Sequence, residues 1–353
     1  VERSPEQPRP LASVLGAAET GIVLEDPRSI PEMVLAVAEA ALEGAALGWD
    51  DLDAVVTASV DLLDGLTASS IAVTEVVGAV MKPETRVAAD GLAAAIHAVH
   101  QISAQAYRTV LVVAHGKASM TPFWELTSWA MDPIFLQSLG VDFLTVAGLQ
   151  ARLLASSNEA VVARWATRVA ERRAAAEGGI AGPITAAEVM ASPVVASPLR
   201  AEMCAPLGDG ACAVILGVPS QATGAVQVTG IGHDLEPHQP GHRDLTEWAG
   251  LRRACRRAYS AAGIGEPTFS VVEPSCLFPH EEDLFLEAAG LENDTDLSPT
   301  GGLFAGTAPV VAGLSRLIRA ARAIEGRPGR RGLAHGTWGP AGQGQAVVVL
   351  EAR

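Results

Sequence analysis

Val87-Ala-Ala-Asp-Gly-Leu-Ala-Ala-Ala-Ile-His-Ala-Val-His100 is the stretch whose reading decides the fold. Asp90 is placed to cap a helix, and Gly91 lets a neighbouring backbone come close. The helix that follows is apolar nearly all round, with small side chains on every face. Such a helix belongs between other layers rather than on a surface. Its N-terminus is expected to open on a site, yet the turn before it carries Ala88 and Asp90 and no Cys or Ser.

The rest of the chain supplies the layers. Of 353 residues, 49% are hydrophobic and 18% charged, enough for a sizeable core and against disorder. Aromatic content of 4% with 35 glycines suits close-packed helix and sheet better than an aromatic-rich sandwich. A net charge of −15 and a pI near 5.0 argue against nucleic acid as a partner. Cys204, Cys212, Cys255 and Cys276 show no C-x-x-C spacing, which predicts free thiols, a cytoplasmic protein and no metal site. No apolar run is long enough for a transmembrane helix, so no membrane is expected. The polar, Pro-rich start Val1–Pro10 reads as a processed or trimmed flexible start rather than a signal peptide.

Read in order, the chain repeats itself. A strand at 11–16, a helix from Ser29 to about Leu47, a strand at Ala54–Ser59 and a helix at Thr67–Val80 precede the central helix. Strands at Thr109–His115 and Gly208–Leu216 follow. Between them, a segment with Trp124, Trp129, Phe135 and Phe143 and a helix at Asn158–Glu177 reads as an insertion that walls a site. The order then recurs: a strand at Ala225–Gly232, a helix at Leu245–Ala262, a strand at Phe269–Glu273 and a short helix at Leu284–Gly290. Gly301-Gly-Leu-Phe-Ala-Gly306, leading into a helix to about Ile324, answers Asp90-Gly-Leu-Ala-Ala94. A strand at Gly342–Glu351 answers Gly208–Leu216. These repeats predict two α/β halves, 11–220 with an insertion at about 117–200, and 221–353. A pseudo-twofold relation would bring Gly91, Gly301 and Gly302 to a shared centre, where helix N-termini can hold an oxyanion.

This order, with Ala191-Ser-Pro-Val-Val-Ala-Ser-Pro-Leu-Arg200, Met203-Cys-Ala-Pro-Leu-Gly-Asp-Gly-Ala-Cys-Ala-Val-Ile-Leu216, His242-Arg-Asp-Leu245 and Pro299-Thr-Gly-Gly-Leu-Phe-Ala-Gly306, resembles the thiolase superfamily. The resemblance is to the sterol-carrier-protein or lipid-transfer type and spans essentially the whole chain. It implies a duplicated, five-layered α-β-α-β-α fold, a homodimer and acyl-CoA thioester substrates. It implies no cofactor on this chain, since coenzyme A enters as part of the substrate. The family's acylated cysteine aligns with Ala88, its Asn-Glu pair with Glu281-Glu282, its Gly-His-Pro histidine with Thr307 and its second cysteine with Trp338. Ping-pong thiolysis needs a thiolate carrier, and Ala88 offers none.

Members of this type without the cysteine resemble steroid side-chain aldolases, which act with a zinc-ribbon/OB-fold partner protein. The resemblance therefore implies retro-aldol cleavage of β-hydroxyacyl-CoA thioesters. The alternatives are a catalytically silent subunit of a complex with an active thiolase or OB-fold protein, and an acyltransferase with a non-standard nucleophile such as Cys276. His335, in a Gly-rich loop expected at the site, and His280 beside Glu281 are the candidate acid/base groups. Thr307 is a candidate partner for a substrate carbonyl; Ala88, Asp90, Gly91, Gly301, Gly302 and Cys276 are expected to line the substrate site. The tyrosines expected in such aldolases reduce here to Tyr107 and Tyr259, both outside the site loops. His233, His238 and His242 read as a surface loop.

Overall fold

A computed structural model of the chain describes residues 9–65, 68–176, 178–220, 222, 224–292, 295 and 297–353. Residues 1–8 of the Val1–Pro10 stretch, Thr67 and Glu177 therefore lie outside the described residues. After β1 (Ala12–Glu19), Ser29 caps α1 (Ile30–Ala45) in a reciprocal box with Glu32, with Pro31 in the first turn. Next come β2 (Ala54–Ala58), α2 (Asp61–Asp64), α3 (Ser69–Val73), β3 (Glu84–Val87), α4 (Gly91–Ser103) and β4 (Thr109–Lys117). The insertion supplies α5 (Phe123–Trp129), α6 (Phe143–Ala155), α7 (Glu159–Ala175), α8 (Ala186–Ala191) and a small hairpin, β5 (Val194–Ala196) and β6 (Leu199–Arg200). The chain returns through β7 (Asp209–Gly217), β8 (Val226–Leu235), α9 (Ala249–Ala261), β9 (Val271–Glu273), α10 (Pro279–Ala289), α11 (Ala312–Ile324), β10 (Arg331–Trp338) and β11 (Gly344–Ala352).

The main sheet runs β3-β2-β4-β7-β1-β8-β11-β10-β9. About its middle the order is a mirror: β1 answers β8, β7 answers β11, β4 answers β10, β2 answers β9, and β3 is one extra edge. Orientation repeats as well. β4 is parallel to β2 and antiparallel to β7, as β10 is parallel to β9 and antiparallel to β11. The halves join through two paired positions, Ala12 with Val228 and Ser13 with Gln227.

Alternation along the strands sorts side chains into layers. Val56, Val110, Val112, Ala114, Val214 and Leu216 face the central cluster, which also takes Ala346, Val348 and Leu350 from the other half-sheet. Their neighbours Val55, Leu111, Val113, Ala213 and Ile215 face outward onto α1. Leu333, Val347 and Val349 face outward onto α9 and α10. Helices α4 and α11 lie in the middle, so the layers run helix, half-sheet, helix pair, half-sheet, helix. That is the five-layered thiolase fold. Leu92, Ile96, Val99 and Ile102 of α4 are buried there, each contributing roughly 1.5–3 kcal/mol.

Several local expectations are corrected. The helix expected to reach Val80 stops at Val73 and continues as turns through Gly78, which has φ of 66°. β-Branched residues crowd that stretch, and the Thr74 hydroxyl bonds the Glu84 carboxylate instead of helix backbone. His335 sits in a strand, β10, not a loop: Gly332 and Gly336 take ordinary extended backbone between β9 and β11. Helix α11 starts at Ala312, well after Gly301-Gly302, because positive φ at Gly301, Gly302 and Gly306 keeps that segment coiled.

Candidate functional site

A cavity of about 300 Å³ opens where the N-termini of α4 and α11 meet. Ala88, Ala89 and Asp90 form one side, and Thr307, Pro309, Val310 and Ala312 the other. Phe123, Trp124 and Thr127 of α5 and Phe143 of α6 make a wall, so the insertion does border the site. Ser275, Leu277, Phe278 and Glu281 come from the segment after β9, and Thr337 to Gln343 from the β10–β11 turn. The lining is predominantly apolar with a few polar groups converging on it, the usual composition of a small-molecule site.

Asp90 ties the two helices together. Its Oδ1 accepts from Leu92 N at 2.8 Å, capping α4, and its Oδ2 accepts from Gly313 N at 2.9 Å, in the first turn of α11. A Cβ on Gly313 would lie 2.0 Å from the Asp90 carboxylate, and one on Gly336 2.3 Å away, so both glycines make its room. Burial pushes this carboxyl up to about 7, opposed by the two N–H donors. Gly91 packs against Leu314 and Ala114, and its N–H donates to Val310 O at 2.7 Å. That amide is engaged and cannot serve as the oxyanion holder expected of it.

The two adjacent glutamates part company. Glu281, third residue of α10, turns back so that its Oε2 accepts from Leu277 N at 2.7 Å and Phe278 N at 3.2 Å. It lines the cavity, and burial raises its carboxyl to about 8, against those two donors. It is therefore mostly in the neutral acid form at pH 7. Glu282 points the other way and pairs with Arg168 at 3.2 Å and Arg172 at 3.0 Å on α7.

The expected histidines are not on the cavity wall. His280 is enclosed by Trp165 and Phe278, bonds Gln150 Oε1 at 3.1 Å, and is lowered to about 3 by burial. His335 lies between Trp248 and Phe285 on the outer face of β10. Its Nδ1 accepts from Ser275 N at 3.3 Å and its Nε2 meets Gln345 Oε1 at 2.7 Å, so both nitrogens are committed; burial lowers it to about 4. Strand alternation turns residue 335 to the same side as Leu333, away from the cavity.

Of the remaining expected residues, Ala88 is exposed on the wall and Thr307 lines it, the Thr307 hydroxyl reaching Ala308 O at 3.5 Å. Cys276 points into the outer core while its neighbours Ser275 and Leu277 face the cavity. Desolvation raises its thiol well above the usual value. Gly301 packs on Ala176 and the Arg172 carbonyl, and Gly302 on Ser298, so neither reaches the cavity. Tyr259 is spent on Ala289 O at 3.0 Å. Neither tyrosine nor any cysteine lines the cavity among the described residues.

What the sequence reading missed is His238. Its loop lies on the cavity wall, and its Nδ1 meets Gln343 Oε1 at 3.1 Å. The intervening Gly and Pro that suggested a free surface loop instead let the segment fold against the β10–β11 turn. Nothing in the local spacing signals that pairing.

No family model matches the chain. The benzoylsuccinyl-CoA thiolase subunit BbsB of Thauera aromatica is 33% identical over 121 residues. That match covers 31% of this chain and 30% of the subunit. Solved structures match far more widely at lower identity. A monomeric SCP2-thiolase-like protein type 1 from Mycobacterium smegmatis aligns with TM-score 0.76 and 16% identity, over 98% of this chain and 78% of that one. The Ltp2-ChsH2(DUF35) aldolase gives TM-score 0.76 and 16% identity over 97% of each chain. Human mitochondrial 3-ketoacyl-CoA thiolase gives 0.79 and 14%, over 99% and 100%. The mirrored half-sheets, the paired central helices and these alignments together give the chain the thiolase fold.

Proposed function

We propose that the chain is a carbon–carbon lyase of retro-aldol type, acting on β-hydroxyacyl-CoA thioesters without an acyl–enzyme bond. The observation that carries this reading is Ala88, exposed on the cavity wall in the turn before α4, at the position with which the family resemblance aligns the acylated cysteine. Retro-aldol cleavage needs a base for the β-hydroxyl proton and a donor for the thioester enolate, and no covalent carrier. A carboxylic acid kept neutral by burial is such a donor. Glu281 fits this role: Oε2 already accepts two backbone N–H groups, which leaves Oε1 to carry the proton toward substrate oxygen. The Thr307 hydroxyl, weakly held, is the second group able to bond that oxygen. Asp90 holds the helix ends in place and is not needed as a reactant.

The aldolase among the similar structures supports the reaction class, and the benzoylsuccinyl-CoA thiolase subunit supports a thioester substrate. The test is incubation with a panel of β-hydroxyacyl-CoAs, alone and with a zinc-ribbon/OB-fold partner. Release of a ketone or aldehyde with the shortened acyl-CoA is expected. Absence of cleavage in both settings, or an acyl group found bonded to the protein, overturns the reading. A second reading, a non-catalytic subunit of a complex, is favoured by two of the matches being to parts of assemblies. It predicts that Glu281→Ala leaves the activity of the assembled complex unchanged.

A further inference from the structure

We infer that His238, held by Gln343 at the cavity wall, is the base that takes the β-hydroxyl proton. This rests on the lyase reading above and supplies the group which that reading lacks. Among the described residues, His238 is the histidine that lines the cavity; the two histidines expected from the sequence point elsewhere.

The hydrogen bonds fix which nitrogen is available. The Gln343 side-chain amide donates from Nε2 to the Glu236 carbonyl at 3.3 Å, and a carbonyl can only accept. Gln343 Oε1 must then be the atom that faces His238 Nδ1, at 3.1 Å. An amide oxygen also only accepts, so Nδ1 carries the proton and Nε2 carries the lone pair. No protein group among the described residues bonds Nε2. The loop is bolted down on both sides of the histidine. Glu236 N donates to Gln343 O at 2.9 Å, and Arg243 bonds the Glu236 carboxylate at 2.9 Å and Ala341 O at 3.2 Å. A fixed tautomer on a fixed loop is what a positioned base requires.

The step balances without a further reactant. Nε2 takes the β-hydroxyl proton, and the O–H electron pair becomes the second bond of the new carbonyl. The Cα–Cβ bond breaks and leaves its pair on Cα as the thioester enolate, whose oxygen Glu281 holds. The imidazolium then returns the proton to Cα, releasing a ketone or aldehyde and the shorter acyl-CoA.

The titratable and charged groups near His238 are Asp90 and Glu281 on the cavity, the Glu236–Arg243 pair on its own loop, and Asp234, held by Arg253 and Arg257, farther along. The experiment has two arms. In the first, His238→Asn is expected to lower kcat about 10²–10⁴-fold with KM within about threefold, and to remove one limb of the pH profile that Glu281→Gln keeps. Gln343→Leu, which frees the tautomer, is expected to lower kcat about tenfold while keeping both limbs. Wild-type cleavage with an undiminished His238→Asn variant overturns the inference and leaves the lyase reading standing; no wild-type cleavage overturns both. The second arm does not depend on turnover. In ¹⁵N-histidine-labelled protein, the imidazole signals missing from His238→Asn must show the Nδ1–H tautomer at pH 8, and an Nε2–H tautomer overturns the assignment by itself.

Discussion

Replacing Asp90 with alanine tests the junction on which the site is built. Two buried backbone donors, Leu92 N and Gly313 N, lose their acceptor at once. Each such loss costs about 1–3 kcal/mol, so the variant is expected to be about 2–4 kcal/mol less stable at pH 5 after the benefit of no longer burying a carboxyl. The pH dependence carries the sharper signature. Asp90 is raised from the ordinary 3.8 to about 7, with burial as the first cause. A raised folded-state value means that its contribution is full below 3.8 and is lost as pH rises through about 7. Roughly two units of that shift lie above pH 5, so the gap between wild type and variant should shrink by about 2–3 kcal/mol between pH 5 and pH 8. Urea unfolding at a series of pH values measures it directly. A gap that stays constant with pH, or an Asp90→Ala variant as stable as wild type at pH 5, would refute the account of a carboxyl clasped between two helix ends.

The other predictions are independent of one another. Gly313→Ala places a Cβ 2.0 Å from the Asp90 carboxylate and 2.7 Å from Gly336 Cα, so a loss of at least about 2 kcal/mol is expected in the same unfolding assay. Glu281→Gln keeps an acceptor for Leu277 N and Phe278 N and puts an amide N–H, a weaker donor, where the carboxylic O–H stood. Its unfolding midpoint should move little while kcat for thioester cleavage falls about tenfold. Ala88→Cys should gain an acyl mass on that residue when incubated with an acyl-CoA, and no adduct would place the thioester carbonyl out of its reach. Native protein should react slowly with a thiol reagent at neutral pH, because burial pushes Cys204 and Cys255 up to about 12 and Cys276 and Cys212 well above the usual thiol range. Fast labelling of the folded chain would contradict that.

How much was legible in advance depends on the range of the interaction. The Ser29–Glu32 box and the Asp90 cap lie within a few residues of their helices, and both helices start where the local pattern says. Buried strands such as Val110–Ala114 announce themselves by continuous apolar runs. β10 did not, because Gly332 and Gly336 dilute its pattern; Gly336 is required by a neighbour from elsewhere, the Asp90 carboxylate, which a Cβ there would meet at 2.3 Å. The resemblance of Gly301-Gly302 to the turn at Gly91 was local as well, whereas the glycine that meets the Asp90 carboxylate in space is Gly313, brought there by the packing of α11 against α4.

The sequence by itself determined the layers, since side-chain period and apolar content dictate which faces must be covered. It also determined the absence of a nucleophile at Ala88, a matter of identity at one position. Only the tertiary structure decided which titratable groups share the cavity. Glu281 turns toward it and Glu282 away, His335 faces the outer core, and His238 arrives from a loop that Gln343 holds a hundred residues along the chain. Those outcomes depend on the direction of single side chains and on contacts between distant segments, and neither is encoded in local spacing.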